Sequence, residues 1–179
     1  MRSFVLLALL AVGIFSSGCS SSQRELTEDD EVGIYAAVVR QIYYVDHGFQ
    51  QPPAWSRIYV PRTTDDLQID PDAPYGQPKL LPTGLQKNLA SAISDLPTEL
   101  IWVDDPDIEV LTDAETGLIM DGKGITLTLG NIHVQEDGSV LVSYWLYCGF
   151  LCGIGKTFVV EEVDGSWQVT GSTGVEIMS

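Results

Sequence analysis

The chain has 179 residues, 45% apolar and 19% charged, the composition of one folded domain with a short appendage. Its 9 Lys and Arg stand against 25 Asp and Glu, a formal charge of −16, which excludes nucleic-acid binding through a basic patch and adhesion to anionic lipid through charge. The longest apolar run, residues 4–15, falls short of the roughly 20 residues that a membrane-spanning helix needs.

Residues 1–18 read as an export signal that is removed from the mature chain. Arg2 is its positive n-region, residues 4–15 its apolar h-region, and Ser16, Ser17 and Gly18 the small residues ahead of a cleavage site. Ser17-Gly18-Cys19 resembles the end of a bacterial lipobox, with Ser16 where Leu most often stands. The resemblance implies cleavage before Cys19, a diacylglycerol on its thiol and anchoring in the bacterial cell envelope. Several acyl chains anchor stably where a single chain does not. Ser20 follows the cysteine at the position where Asp often signals inner-membrane retention, so the resemblance implies the outer membrane in a host with two. Residues 19–26 are then a lipidated tether and residues 27–179 a single domain. Arg2 is the one charge in residues 1–18, so the exported chain carries −17 and is repelled by anionic headgroups.

Within the domain, Thr27 and Asp30 form a capping box, and the acids at 28–31 suit the positive end of a helix dipole. Val32, Tyr35, Val39 and Ile42 follow at three- and four-residue spacing and predict a buried helix face, with Gly48 as a stop. Ile58-Tyr59-Val60 is a short strand closed by Pro61. Residues 63–82, with Pro71, Pro74, Pro78 and Pro82 and the acids Asp65, Asp66, Asp70 and Asp72, read as a long irregular excursion. A second helix is expected from about Thr83 to Leu96, where Leu85, Leu89 and Ile93 recur every fourth residue and Pro97 ends the pattern.

From Glu99 onward the pattern is that of strands: 100–103, 108–111, then an antiparallel meander of 123–135, 139–147, 156–163 and 166–171. Asp137-Gly138 and Asp164-Gly165 are its hairpin turns. Helices first and strands afterwards predict an α+β fold, two helices packed on a curved antiparallel β-meander. That arrangement resembles the cystatin/NTF2-type shape, which hosts enzymes and non-enzymes alike.

Tyr147-Cys148-Gly149-Phe150-Leu151-Cys152-Gly153-Ile154-Gly155 is the most individual stretch. With Cys19 lipidated, Cys148 and Cys152 are the remaining pair, and an even pair in an exported protein points to a disulfide. On one continuous strand they would lie roughly 13 Å apart, beyond the limit of about 7 Å, so the chain must turn back between them. A Cys-x₃-Cys pair also resembles copper-delivery proteins of the thioredoxin class, but those need a helix after the pair, and strand-like sequence follows here. A disulfide is expected; free thiols and a metal or redox centre are the alternatives. Residues 125–179 resemble the C-terminal part of a group of exported bacterial proteins and lipoproteins. The shared features are the Cys148–Cys152 glycine hairpin, the Val163-Asp164-Gly165-Ser166-Trp167 turn and the Gly174 to Ser179 ending. The resemblance brings no activity with it.

The remaining chemistry is sparse. His47 and His133 stand in no zinc spacing, and Ser172 in Gly171-Ser172-Thr173-Gly174 is not a nucleophile elbow. Asp104, Asp105, Asp107, Glu109, Asp113 and Glu115 lack the pattern of an EF-hand and read as solvated loop, with weak calcium binding as the alternative. Trp145 lies on a strand with Tyr144 and Tyr147, and with Phe150 and Leu151 at the hairpin tip it makes a candidate contact patch. No catalytic, metal or cofactor set stands out. The expectation is a non-enzymatic accessory or binding module of the envelope, held to the membrane through Cys19 and facing an envelope protein. The alternative is a small-ligand-binding or hydrolytic domain, recognisable by a cleft between helices and sheet near Tyr35, Trp102 or Trp145 with a buried carboxylate.

Overall fold

The computed structural model describes residues 25–47, 55–66, 74–104, 124–149 and 152–178. They form two helices and seven strands: α1 (Glu28–Tyr44), β1 (Arg57–Pro61), α2 (Thr83–Ala92), β2 (Glu99–Val103), β3 (Gly124–Leu129), β4 (His133–Val134), β5 (Val140–Gly149), β6 (Cys152–Val163) and β7 (Ser166–Met178). Among the described residues no helix is long and apolar enough to cross a membrane. Cys19, Gly48 and the expected strand 108–111 lie outside these residues.

The capping box forms as the spacing predicts. Asp30 N donates to Thr27 Oγ1 at 3.2 Å, and Thr27 N donates to Asp30 Oδ2 at 2.9 Å. Behind it Ile34, Tyr35, Val38, Val39 and Ile42 turn inward. Helix α2 contributes Leu85 and Leu89, ends sooner than its periodicity suggests, and leaves Ile93 and Leu96 buried in the turn that follows.

The fold is α+β, but the sheet is mixed where an antiparallel meander is expected. Its order is β2-β1-β3-β5-β6-β7, with β4 paired to β5. Strand β1 runs parallel to both neighbours, opposing Arg57 to Glu99 and Ile58 to Ile125. The cause is the connection: β1 reaches β2 through α2, and a helical crossover returns the chain to the same end of the sheet. From β3 to β7 every strand pair is antiparallel, with Asp-Gly turns before β5 and between β6 and β7. The expected strand 123–135 is broken at Gly130 into β3 and β4, while β6 and β7 are longer than their alternation shows.

Both helices pack on one face. There α1 and α2 meet Ile58, Val60, Ile125, Leu127, Leu129, Val142, Tyr144, Leu146, Phe158 and Val160 in one core. Each fully enclosed Ile or Leu contributes roughly 1.5–3 kcal/mol. Tyr144 stacks on Phe158 with ring centroids 4.9 Å apart. Tyr59 and Val103, with Ile101, form a separate small cluster. The C-terminal end of α1 is tied to the sheet by Lys156, whose Nζ lies 2.7 Å from Asp46 and 3.2 Å from Glu176. Burial works against that ammonium, but the two carboxylates outweigh it and raise its pKa. At the other end, a Cβ on Gly33 would stand 2.7 Å from Trp167 Cδ1, so glycine admits the indole, whose Nε1 donates to Asp30 at 3.2 Å.

Candidate functional site

Three segments converge beside the N-terminal end of α1. Residues 62–66 leave β1 and run antiparallel to residues 79–81: Thr64 N donates to Lys79 O at 2.9 Å and Leu81 N to Arg62 O at 2.8 Å. Asp65 N reaches Leu129 O at 2.9 Å, which brings Asp66 to the end of β3 and the turn at 130–132.

Asp66 is 5% exposed and its carboxylate accepts four hydrogen bonds from within the chain. Oδ1 accepts from Asn131 N at 2.7 Å. Oδ2 accepts from Gly76 N at 2.6 Å, Asn131 Nδ2 at 2.8 Å and His133 Nε2 at 2.9 Å. Thr64 Oγ1 donates in turn to Asn131 Oδ1 at 2.8 Å, and Ser143 Oγ to Asp66 O at 3.2 Å. The site admits no side chain at Gly130, where a Cβ would lie 2.8 Å from Asp66 Oδ1 and 2.9 Å from Ser143 O. Tyr35 Oη closes the turn from α1 by donating to Gly130 O at 3.0 Å.

Burial opposes the charge on Asp66. The bonds from the Asn131 side chain, His133, Gly76 N and Asn131 N outweigh it and hold the carboxyl below its ordinary range. An ionised carboxylate only accepts, so His133 Nε2 carries the proton between them. Burial, with the charges of Glu31 and Asp66, drives Tyr35 the other way, well above the usual phenol range.

Two clefts open beside this knot. The wider, about 640 Å³, runs along Glu25, Leu26, Glu31, Pro74, His133 and Gln135. The narrower, about 240 Å³, is bounded by Glu31, Tyr35, Thr64, Lys79, Leu81 and Asn131. Glu31 lines both, and its pKa is raised by burial, partly offset by Lys79 and reinforced by Glu28. His133, whose side chain is 20% exposed, lines the wider cleft. Among the described residues its side chain bonds Asp66 and no hydroxyl or thiol, and no three of His, Cys, Asp and Glu are grouped to hold a metal ion.

Asp66, expected in an irregular excursion with Asp65, Asp70 and Asp72, is instead interior and accepts four hydrogen bonds from the chain. Asp70 and Asp72 lie outside the described residues. Of the second acidic loop only Asp104 is described; it is exposed and meets Arg62 at 2.9 Å. His47, three residues beyond the end of α1, is buried edge-on to Trp55, ring centroids 6.4 Å apart.

The candidate contact patch is only partly described. Trp145 is half-buried between Thr128 and Gly155 on the adjacent strands, while Tyr144 beside it faces the core. Phe150 and Leu151 lie outside the described residues. The flanking cysteines are joined: Cys148 and Cys152 form a disulfide across the β5–β6 hairpin, Cα atoms 5.3 Å apart, with Gly149 opposite Cys152. So short a loop gives about 2 kcal/mol in the chain-entropy description, which makes the clip local in effect. Reduction should raise amide exchange across residues 145–158 and leave the core protected; global unfolding on reduction would contradict this.

The chain matches no protein-family profile, no curated protein and no solved structure.

Proposed function

We propose that the protein is a non-enzymatic binding module of the bacterial envelope, anchored through lipid on Cys19. The observation that supports the binding-module reading is that Asp66, the buried carboxylate of the site, accepts four hydrogen bonds from within the chain and so serves to hold the turn together. The anchor rests on the lipobox-like Ser17-Gly18-Cys19 and its polar tether. The outer membrane follows from Ser20 in a host with two membranes.

A second reading, a small-ligand-binding or hydrolytic domain of cystatin/NTF2-like shape, is favoured by one observation: the narrower cleft lies between α1 and the turn after β3, with Tyr35 in its wall and Asp66 behind it. The first reading is tested by crosslinking in intact membranes. A stoichiometric envelope partner is the expected result; capture of lipid alone, with turnover of a small substrate by the purified protein, would replace it with the second.

A further inference from the structure

We infer that residues 105–123 dock on the sheet face opposite the two helices and close it over Tyr59, Ile101 and Val103. Strands β1, β2 and β3 lie in the order β2-β1-β3 and all run parallel, so the β1–β2 and β2–β3 connections are both crossovers. The first carries α2 and passes over the helix face. Such crossovers are right-handed in about 98% of cases, because a right-twisted strand leads the chain back onto the sheet only that way. The second connection travels in the opposite direction, from β2 back past β1 to β3. With the hand kept and the direction reversed, it crosses the other face.

That face is covered. Side chains alternate along a strand, so Ile58, Val60, Leu100 and Trp102 meet the helices while Tyr59, Ile101 and Val103 point away from them. Yet Tyr59 is 7% and Val103 8% exposed, and Ile101 is the only apolar side chain among the described residues that packs against the pair. The register sets the path of the cover. Val103 pairs with Pro61 and Gly124 with Arg57, so the connection leaves at one end of β1 and returns at the other. It must run back along β1, roughly 13 Å, and across two strand spacings, roughly 10 Å. Residues 105–123 reach farther than that when extended, which leaves chain to pack on the sheet. They bring Ile108, Val110, Leu111, Leu118, Ile119 and Met120 as apolar groups to lay on Tyr59 and its neighbours, with their acids toward water. The inference stands apart from the binding-module reading and from the Cys19 anchor.

The test is methyl-detected NMR on the full chain, with the Ile, Leu, Val and Tyr side chains labelled. Through-space contacts are expected from the methyl groups of residues 108–119 to the Tyr59 ring and to Ile101 or Val103. A variant combining Ile108→Ser, Val110→Ser, Leu118→Ser and Ile119→Ser should uncover the face. The relaxation caused by a soluble paramagnetic agent should then rise at Tyr59 and Val103. It should stay unchanged at Ile58 and Val60, which lie under the helices and report that the variant is folded. Contacts to Leu100 or Trp102 in place of Tyr59, the result of a left-handed crossover, overturn the proposal. So do the absence of contact with either face and an unchanged Tyr59 in the folded variant. None of these outcomes bears on the anchor or the envelope partner, which are read by mass and by crosslinking.

Discussion

Asp66→Ala should destabilise the domain by about 3–5 kcal/mol, the largest effect expected of any single substitution among the described polar residues. Removing the carboxylate leaves Asn131 N, Asn131 Nδ2, Gly76 N and His133 Nε2 without their acceptor in a closed interior. Each buried donor left unpaired costs about 1–3 kcal/mol before relaxation and water entry recover part of it. A domain of ordinary stability, about 5–15 kcal/mol, would be brought close to its threshold. Urea unfolding followed by tryptophan fluorescence measures the change, and a loss under 0.5 kcal/mol would show that the knot does not hold the turn.

The same residue fixes a pH dependence of definite sign. The folded pKa of Asp66 lies below its unfolded value, so the unfolded state binds the proton more readily. The stabilisation is therefore fully present above the ordinary Asp pKa of about 3.9 and is lost as pH falls through the lower folded value. Wild type should lose stability below about pH 4 more steeply than Asp66→Asn, which has no proton to gain there.

The second large effect concerns location. Cys19→Ser removes the thiol that the lipobox-like sequence offers for acylation, so the protein should leave the membrane fraction or remain at the mass of the uncleaved chain. At about 0.8 kcal/mol per buried CH₂, two or three acyl chains dominate every other membrane contact available to an exported chain of charge −17. No intermediate partitioning is expected. Undiminished membrane retention of Cys19→Ser at the mass of the cleaved chain would move the anchor elsewhere in the chain.

Elements with short-range causes were legible. The capping box and the spacing of buried residues announce α1 because each signal spans three or four positions. The Asp-Gly turns announce β5, β6 and β7 because Asp164 and Gly165 must both take positive φ, here 52° and 78°. The parallel pairing of β1 was less legible, although Ile58-Tyr59-Val60 and Leu100-Ile101-Trp102-Val103 are unbroken apolar runs, the mark of strands covered on both faces.

The Asp66 knot was not legible at all. Its partners stand ten, 65 and 67 residues away, and nothing near Asp66 distinguishes it from Asp65. The faint signal is Gly130-Asn131-Ile132-His133, where glycine interrupts an alternating strand and two polar side chains follow. The disulfide lies between these cases. The even cysteine pair and the expected export argue for it, and the glycines around it allow the turn that brings Cys148 and Cys152 within 5.3 Å.

The central claim is an envelope module that begins at a lipidated Cys19, and mass spectrometry of the N-terminal peptide of the protein isolated from membranes tests it most directly. The account predicts a peptide starting at Cys19, heavier than its sequence by a diacylglyceryl group with or without an N-acyl chain. A peptide starting at Met1 or at any residue other than Cys19, without lipid, would contradict it.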